Sequence, residues 1–302
     1  MELRRIVIGE DFSGLARAAA RWTARSLAPD GELILVHSIE LPRPPGFLKR
    51  FAPPEPELVE SVRRGAGARL EERAAALDGA RVRTVLVEGR PADRLAEIAR
   101  SESADLIVVG EHGHYRRLGD VLGSTADQLA RVSAVPVLIA RQLPDGPPRR
   151  ILVPVKESDL LGYALEWAGF LARRFDARLI AYYAVSPMIY GRIRAVSAAS
   201  AEPELERELI EDGRNWLGER LEEAGIPADL ADREVDIGDP SYEIVAAVER
   251  FDVDLIVMPS RAGGVIGDAL IGSVARVVIR NAPCSVLIVN RLPSDRTADT
   301  PG

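Results

Sequence analysis

The chain contains 302 residues, of which 47% are hydrophobic and 28% are charged, and these proportions are typical of a folded globular protein rather than a disordered or fibrous one. The length is sufficient for two domains that each bury a core of their own. The net charge of −7 argues against nucleic acid as the main partner, because proteins that bind a phosphate backbone usually carry a basic patch or an alkaline pI.

The segment MELRRIVIGED at the amino terminus leads directly into a strand-like run without the pattern of a signal peptide. No apolar run in the sequence reaches the length that would span a membrane. Cys284 is the one cysteine, which excludes a disulfide within the chain. We therefore expect a cytoplasmic protein that contacts neither membrane nor nucleic acid, with Cys284 in its core.

Short runs rich in valine and isoleucine alternate along the first half with segments of helical periodicity. The strands are predicted near 4–9, 32–39, 82–88, 105–110 and 136–140, and the helices near 13–28, 56–78, 91–103 and 124–133. Runs that are apolar on both faces are typical of a parallel sheet covered by helices, so the pattern predicts a doubly wound α/β fold. Segments 42–57 and 186–200 interrupt the alternation after the second strand of each half, and the prolines of the first predict an irregular surface excursion.

The second half of the sequence repeats the first. Asp105 and the apolar run after it correspond to Asp254 and its run, and Gly123-Ser124 corresponds to Gly272-Ser273, always at an offset of 149 residues. The segment RQLPDGPPRR between the copies contains prolines and a glycine that neither a helix nor a central strand accommodates. We place one domain at 1–142, a linker at 143–149 and a second domain at 150–302.

Ligands of open parallel sheets bind beyond the carboxyl ends of the strands, where the winding direction reverses. That point falls between the first and fourth strands, which Asp11 and Gly110 follow. Gly113 extends the bare backbone, and Gly123, Ser124 and Thr125 open a helix whose unpaired N–H groups favour an anion. Each residue alone also has a structural interpretation, as a turn glycine or a helix cap, but together they predict a phosphate site.

The spacing Gly110-x2-Gly113-x9-Gly123-Ser124 resembles the glycine signature of ATP-binding members of the universal stress protein family. The segments IVIGEDFS (6–13), LVHS (35–38) and VPVLIAR (135–141) resemble strands of the same family, so the resemblance covers nearly the whole chain in two copies. It implies a five-stranded parallel sheet per domain, in the order 3-2-1-4-5 with helices on both faces. It also implies ATP, with or without Mg²⁺, with adenine near Asp11 and phosphates near Gly113, Gly123 and Ser124.

Three further residue groups near this signature affect the interpretation. His112 resembles the histidine of a His-Gly pair that many relatives carry, and we interpret it as a side chain at the edge of the ligand rather than a metal ligand. Arg116 and Arg117 are candidates to supply positive charge to the same anion. Glu10 stands where the family usually has an apolar or small residue, so we expect it to add negative charge beside the nucleoside pocket.

The second copy lacks several of the predicted site residues. Asp11 aligns with Lys156, Gly110 with Pro259 and Gly113 with Ala262, while Gly272-Ser273 remains. The second domain is therefore predicted to be a structural or regulatory partner that does not bind ATP in the family manner. The resemblance also implies that the last strands of the two copies, which are apolar edge segments, pair within the chain as a pseudo-dimer, and the chain could associate further as a homodimer.

The sequence contains neither a GxxxxGK[ST] loop nor a G-x-S-x-G elbow, so it identifies no catalytic residue. The preferred hypothesis is an ATP-binding regulatory protein of the stress response, with an unknown protein partner. Two alternatives stay open. One is a slow ATP hydrolase or a phosphoryl or nucleotidyl transferase, assisted by Arg116, Arg117 or His112. The other is a dimerising scaffold that binds no nucleotide.

Overall fold

The computed structural model describes residues 1–40, 56–112, 122–196, 202–260 and 271–290, and the chain divides into two compact units, Met1–Ala140 and Arg141–Gly302. Unit 1 contains the strands β1 (Arg5–Gly9), β2 (Glu32–Ile39), β3 (Arg81–Glu88), β4 (Leu106–Gly110) and β5 (Val137–Ala140), and the helices α1 (Gly14–Trp22), α2 (Pro56–Ala75), α3 (Pro91–Ser101) and α4 (Ser124–Val132). Unit 2 contains the strands β6 (Arg150–Pro154), β7 (Arg178–Val185), β8 (Ala231–Ile237), β9 (Leu255–Pro259) and β10 (Ser285–Val289), and the helices α5 (Leu161–Phe175), α6 (Pro187–Val196), α7 (Glu202–Glu223), α8 (Pro240–Arg250) and α9 (Ser273–Asn281).

Each unit contains a parallel sheet of the predicted doubly wound type. In unit 1 the strands lie in the order β3-β2-β1-β4-β5, and in unit 2 they lie in the order β8-β7-β6-β9-β10. Both orders correspond to 3-2-1-4-5 when each unit is numbered from its own first strand. The predicted fold class, two tandem α/β domains, is confirmed. The pairing of the last strands within the chain stays a prediction.

Helices cover both faces of the sheet of unit 1. A Cβ atom on Gly9 would approach Leu95 of α3, whereas a Cβ atom on Gly110 would approach Leu15 of α1. Gly9 shares its side of the sheet with Val109, whose side chain is 3.0 Å from that Cβ position. Since Val109 and Gly110 are successive residues of β4 and point to opposite faces, α3 and α1 lie on opposite faces of the sheet.

The central strands are buried on both faces, which explains why they are almost uniformly apolar. Ile6, Val7 and Ile8 of β1 have no exposed surface, and the same holds for Ile107 and Val108 of β4. Burial of such side chains is the main driving force for forming the sheet. In unit 2 Cys284 is buried as predicted, and burial raises the pKa of its thiol to about 12.

The predicted helix at 13–28 ends early as an α-helix, since α1 stops at Trp22 and continues as a π-helical turn over Thr23–Leu27. The amide of Ala28 donates to the carbonyl oxygen of Thr23 at 2.9 Å, which is the wider spacing of a π-turn. The Thr23 hydroxyl donates to the carbonyl oxygen of Ala19 at 2.8 Å and competes with the regular helical pattern.

The two predicted interruptions differ in outcome. Most of segment 42–57 lies outside the described residues, so its predicted irregular course stays a prediction. Segment 186–200 is not simply an interruption of the pattern, because helix α6 occupies Pro187–Val196. Helix formation there agrees with the position of Pro187, which opens the helix where a missing N–H is tolerated. None of the helices within the described ranges is long and apolar enough to cross a lipid bilayer.

An aspartate before the fourth strand of each unit connects that strand to the first strand. Asp105 Oδ2 accepts the backbone N–H groups of Arg4 and Arg5 at 2.7 and 3.0 Å. Asp254 Oδ2 accepts those of Arg149 and Arg150 at the same two distances. The repeated contact fixes the amino ends of the two neighbouring strands, and hydrogen bonds to a charged acceptor are stronger than neutral ones.

We predict that Asp254→Ala lowers the free energy of unfolding of unit 2 by about 1–2 kcal/mol, because two backbone N–H groups lose a charged acceptor. Urea unfolding followed by tryptophan fluorescence measures the effect. The control is Asp252→Asn, which removes the exposed ion pair with Arg150 and suits the left-handed backbone there (φ 51°). An Asp254→Ala protein no less stable than this control would contradict the prediction.

Candidate functional site

The carboxyl ends of β1 and β4 meet at one edge of the sheet in unit 1. The two strands are parallel neighbours with Ile8 opposite Val108, so Asp11 and Gly110 reach the same edge. A Cβ atom on Gly110 would be 3.3 Å from both Cγ and Cδ2 of Leu15, which is closer than side chains usually pack. The glycine therefore permits α1 to lie close to the end of β4.

The first turn of α4 is held against the same edge by a backbone hydrogen bond. Gly123 N donates to the carbonyl oxygen of Glu111 at 2.7 Å. A Cβ atom on Gly123 would lie 2.7 Å from that oxygen and 3.3 Å from Cα of His112. Only glycine fits without displacing the backbone, so Gly123 has a structural role whether or not a ligand binds.

Helix α4 begins without a side-chain cap. Gly123 is the N-cap residue and adopts an extended backbone, and as a glycine it has no side chain to accept a hydrogen bond from the first turn. Ser124 is exposed and Thr125 is half-buried. By contrast, α1 begins with Ser13, whose Oγ accepts the N–H of Ala16 at 3.0 Å. Among the described residues, the N-cap of α4 thus leaves the first N–H groups of the helix available to an anion, together with two hydroxyl groups.

Asp11 stabilises the local backbone and retains acceptor capacity. Its Oδ1 accepts the N–H of Ser13 at 2.9 Å, and this turn leads into the N-cap of α1. The residue is half-buried at the sheet edge. Since a carboxylate has two oxygens and several acceptor positions, the turn orients Asp11 and leaves it able to accept a donor from a ligand.

His112 lies between the end of β4 and the start of α4. Its Nε2 is 3.6 Å from Oε1 of Glu111, and its side chain is 17% exposed. Six of the seven predicted site residues lie at the carboxyl ends of β1 and β4 or at the start of α4, namely Asp11, Gly110, His112, Gly123, Ser124 and Thr125. Gly113, together with Arg116 and Arg117, lies in 113–121, outside the described residues.

The sequence suggested that Glu10 adds negative charge to this edge, but the structure buries its side chain. Its side chain has no exposed surface, Oε1 accepts the N–H of Phe12 at 2.6 Å, and Oε2 lies 3.9 Å from Nε of Arg73. Burial raises the pKa of Glu10 to about 7. Side chains alternate along a strand, and because the structure places Gly9 against α3, Glu10 faces the opposite helix layer.

Phe12 and the side chains around it form a cluster that sequence reasoning missed. Phe12 adopts a positive φ of 65°, which is rare for a bulky residue and stores about 1 kcal/mol or more of strain. The centre of its ring lies 4.3 Å from the ring centre of His37. The guanidinium of Arg69, a residue of α2, lies 4.1 Å from the centre of the Phe12 ring. Arg73 also donates to the carbonyl oxygen of Phe12 at 2.9 Å. These contacts hold the turn that presents Asp11.

His37 is fixed as a neutral donor within the same cluster. Its Nδ1 lies 2.7 Å from the carbonyl oxygen of Glu10, which can only accept, so Nδ1 carries the proton. Burial is the main cause that lowers the pKa of His37, and the hydrogen bond to Glu10 partly opposes it. His37 belongs to the segment LVHS, and it connects the end of β2 to the end of β1.

The second unit repeats the backbone frame of the site but not its side chains. Gly272 N donates to the carbonyl oxygen of Ser260 at 2.8 Å, and α9 also begins without a side-chain cap. Pro259, at the end of β9, has no N–H, and Lys156 is exposed after β6 where unit 1 has Asp11. Ala262 lies in 261–270, outside the described residues.

A model of the universal stress protein family matches residues 2–141 and again residues 148–290. The chain belongs to the universal stress protein family. Because the match occurs twice, it is a tandem member, as the internal repeat predicted.

Relatives with known names agree with this assignment. The chain is 28% identical to the universal stress protein Rv2623 of Mycobacterium tuberculosis, over 94% of this chain and 95% of that protein. It is 32% identical to the universal stress protein MJ0531 of Methanocaldococcus jannaschii, over 47% of this chain and 82% of that protein. A crystal structure of a universal stress protein from Archaeoglobus fulgidus superposes with a TM-score of 0.71 at 19% identity, covering 97% of this chain and 100% of that one, which shows a common fold.

We predict that Glu10 makes the stability of this universal stress protein depend on pH. The pKa of Glu10 is about 7 in the folded chain and 4.5 when the side chain is not buried. Between these two pH values the folded state holds a proton that the unfolded state has released. The stability is therefore complete below pH 4.5 and falls as pH rises towards 7. Glu10→Gln should flatten this part of the curve and raise the free energy of unfolding at pH 8 by about 1–3 kcal/mol.

Urea unfolding at pH 5, 6, 7 and 8 tests this prediction. The matched control is Glu40→Gln, which makes the same chemical change at an exposed position just after β2. We expect the control to follow the parent curve. A Glu10→Gln curve parallel to the parent over this interval would show that Glu10 is ionised in the folded protein.

Proposed function

We propose that this tandem universal stress protein binds ATP in unit 1 and acts in the stress response through nucleotide-dependent contact with a protein partner. The observation that carries the proposal is the uncapped start of α4, held at the end of β4 beside Asp11. A helix start that lacks a side-chain cap exposes N–H groups to an anion, and the helix dipole favours negative charge there. The glycine spacing of the sequence supports the same ligand.

The residues present fit a nucleotide in two parts. Gly123, Ser124 and Thr125 would hold phosphate oxygens through backbone N–H groups and hydroxyls, with Gly113 as a further proposed contact. Asp11 would accept a hydrogen bond from the nucleoside, and Gly110 and His112 would border it. ATP, with or without Mg²⁺, supplies a flexible chain of negative charge whose binding can change the surface that a partner meets. The proposed compartment is the cytoplasm.

Unit 2 is proposed to be a structural or regulatory partner rather than a second ATP site. Unit 2 also has an uncapped helix start, at Gly272, so the backbone at the helix start does not distinguish the two units. The difference lies in the side chains, because Lys156 replaces the acceptor Asp11 and Pro259 replaces the small, flexible Gly110. These changes remove the proposed nucleoside contacts while preserving the sheet.

We predict that Ser124→Glu weakens ATP binding about tenfold or more, because it places a negative charge beside the proposed phosphate position. Acidic residues suit the first turn of a helix, so the variant should fold. The matched control is Ser273→Glu, the same change at the exposed, equivalent position of α9, which should leave ATP affinity unchanged. Equilibrium dialysis with ATP measures the affinity.

The same samples separate the proposal from its alternatives. Recovery of bound nucleotide as ATP after incubation supports a binding protein, and steady release of ADP indicates a hydrolase. No saturable uptake by the parent protein would contradict ATP binding and favour a scaffold. Equal loss of affinity in Ser124→Glu and Ser273→Glu would contradict the assignment of the site to unit 1.

We predict that the two roles of Asp11 can be separated by two substitutions. Asp11→Asn keeps an oxygen for the N–H of Ser13 but replaces the second acceptor oxygen, which would face the nucleoside, with an NH₂ donor, so it should lower ATP affinity about tenfold with little change in stability. Asp11→Ala also removes the turn contact and should in addition lower the free energy of unfolding by about 1 kcal/mol. Dialysis and urea unfolding measure the two effects. Unchanged ATP affinity in Asp11→Asn would limit Asp11 to its structural role.

A further inference from the structure

Unit 2 contains a cavity of about 630 Å³ at the carboxyl ends of β6 and β7. Apolar and aromatic side chains form most of its lining, namely Tyr183, Val185, Ile189, Ile193, Leu209 and Trp216. They come from β7, α6 and α7. The cavity is open to solvent, its volume lies within the range of pockets that bind small molecules, and such pockets are mostly apolar with a few polar groups.

Helix α6 forms one side of this open cavity without belonging to the core. None of its side chains is buried, although Ile189 and Ile193 both face the cavity. These residues are four positions apart and therefore lie on one face of the helix. The Tyr190 hydroxyl lies 3.0 Å from Oε1 of Glu206 and connects α6 to α7. An apolar molecule in the cavity would bury the isoleucine face, which the protein itself leaves partly exposed.

An aromatic pair forms one wall of the cavity. The rings of Tyr183 and Trp216 lie 5.3 Å apart, with their planes inclined by 61°. Such an edge-to-face pair presents a large apolar surface. Gly213 of α7 also lines the cavity, and a Cβ atom there would be 3.1 Å from the methyl groups of Val235 on β8. The glycine lets α7 approach the sheet closely and fixes the shape of the wall.

The charges at the cavity disfavour an anion. Lys156, Glu157 and Asp212 contribute one positive and two negative charges, and all three side chains are exposed. Their sum is −1, so a phosphate chain or a carboxylate would meet no net attraction. The apolar lining in turn offers little to a charged group, which loses its hydration on entry.

We propose that unit 2 binds a small, uncharged and predominantly apolar molecule in this cavity, beside α6 and against Tyr183 and Trp216. The two units then bind ligands of different classes, a nucleotide in unit 1 and an apolar molecule in unit 2. This proposal does not depend on ATP binding by unit 1. It gives unit 2 a ligand of its own, through which a hydrophobic molecule can act on the tandem protein.

The neutral dye N-phenyl-naphthylamine, whose fluorescence rises in apolar surroundings, tests the proposal on the full chain. We expect saturable binding of one dye molecule per chain, displaced by decanol and much less by decanoate or ATP. No saturable signal would overturn the proposal. Displacement by decanoate as efficient as by decanol would overturn the uncharged class, and displacement by ATP would make the cavity a nucleotide site.

A matched pair of variants on α6 locates the bound dye. Ile193→Glu places a charge in the lining and should weaken dye binding at least about tenfold. Val196→Glu makes a comparable change on the same helix at a side chain that is 84% exposed and outside the lining, and it should bind dye as the parent does. Since α6 contributes no buried side chain, both variants should keep the parent circular dichroism and melting temperature. Equal dye affinity in the two variants would overturn the proposal.

Discussion

The candidate site of unit 1 depends on one close backbone contact, the hydrogen bond from Gly123 N to the carbonyl oxygen of Glu111. It holds the start of α4 against the end of β4, where a side chain at position 123 would collide with that oxygen. An uncapped helix start is ordinarily exposed to water, and here it is fixed beside two strand ends. The position of the helix start, rather than any single functional side chain, makes an anion site possible.

The same hydrogen bond recurs in unit 2 between Gly272 and Ser260. The backbone arrangement at the helix start is therefore common to both units, and the side chains around it differ. In unit 1 the glycine is required because the backbones approach closely, whether or not a nucleotide binds. Its retention is therefore weak support for an anion site in unit 2. What distinguishes the copies is the group after the first strand, Asp11 in one and Lys156 in the other. In unit 2 the space at the strand ends is lined by α6 and α7 with apolar side chains instead.

The turn after β1 shows how a buried ionisable group can shape a neighbouring site. Glu10 accepts the N–H of Phe12, Arg73 donates to the Phe12 carbonyl, and His37 donates to the Glu10 carbonyl. These contacts hold Phe12 in a backbone conformation that it would otherwise avoid. Asp11 lies within this turn, so its orientation depends on a cluster whose members come from β1, β2 and α2. Glu10 is thereby connected by hydrogen bonds to the turn beside the candidate site.

The sequence by itself determined the class of fold, the duplication and most strand bounds, because period and composition report burial directly. It also indicated Asp11, Gly110 and Gly123 as neighbours, since parallel strands of known order end at one edge. Only the tertiary structure decided where Glu10 points, which contacts hold Phe12 and that α6 lines an apolar cavity. Those features depend on side chains from elements far apart in sequence, such as Arg73 with Glu10 or Ile193 with Trp216. No local pattern encodes such distances, because they arise only when the helices pack on the sheet.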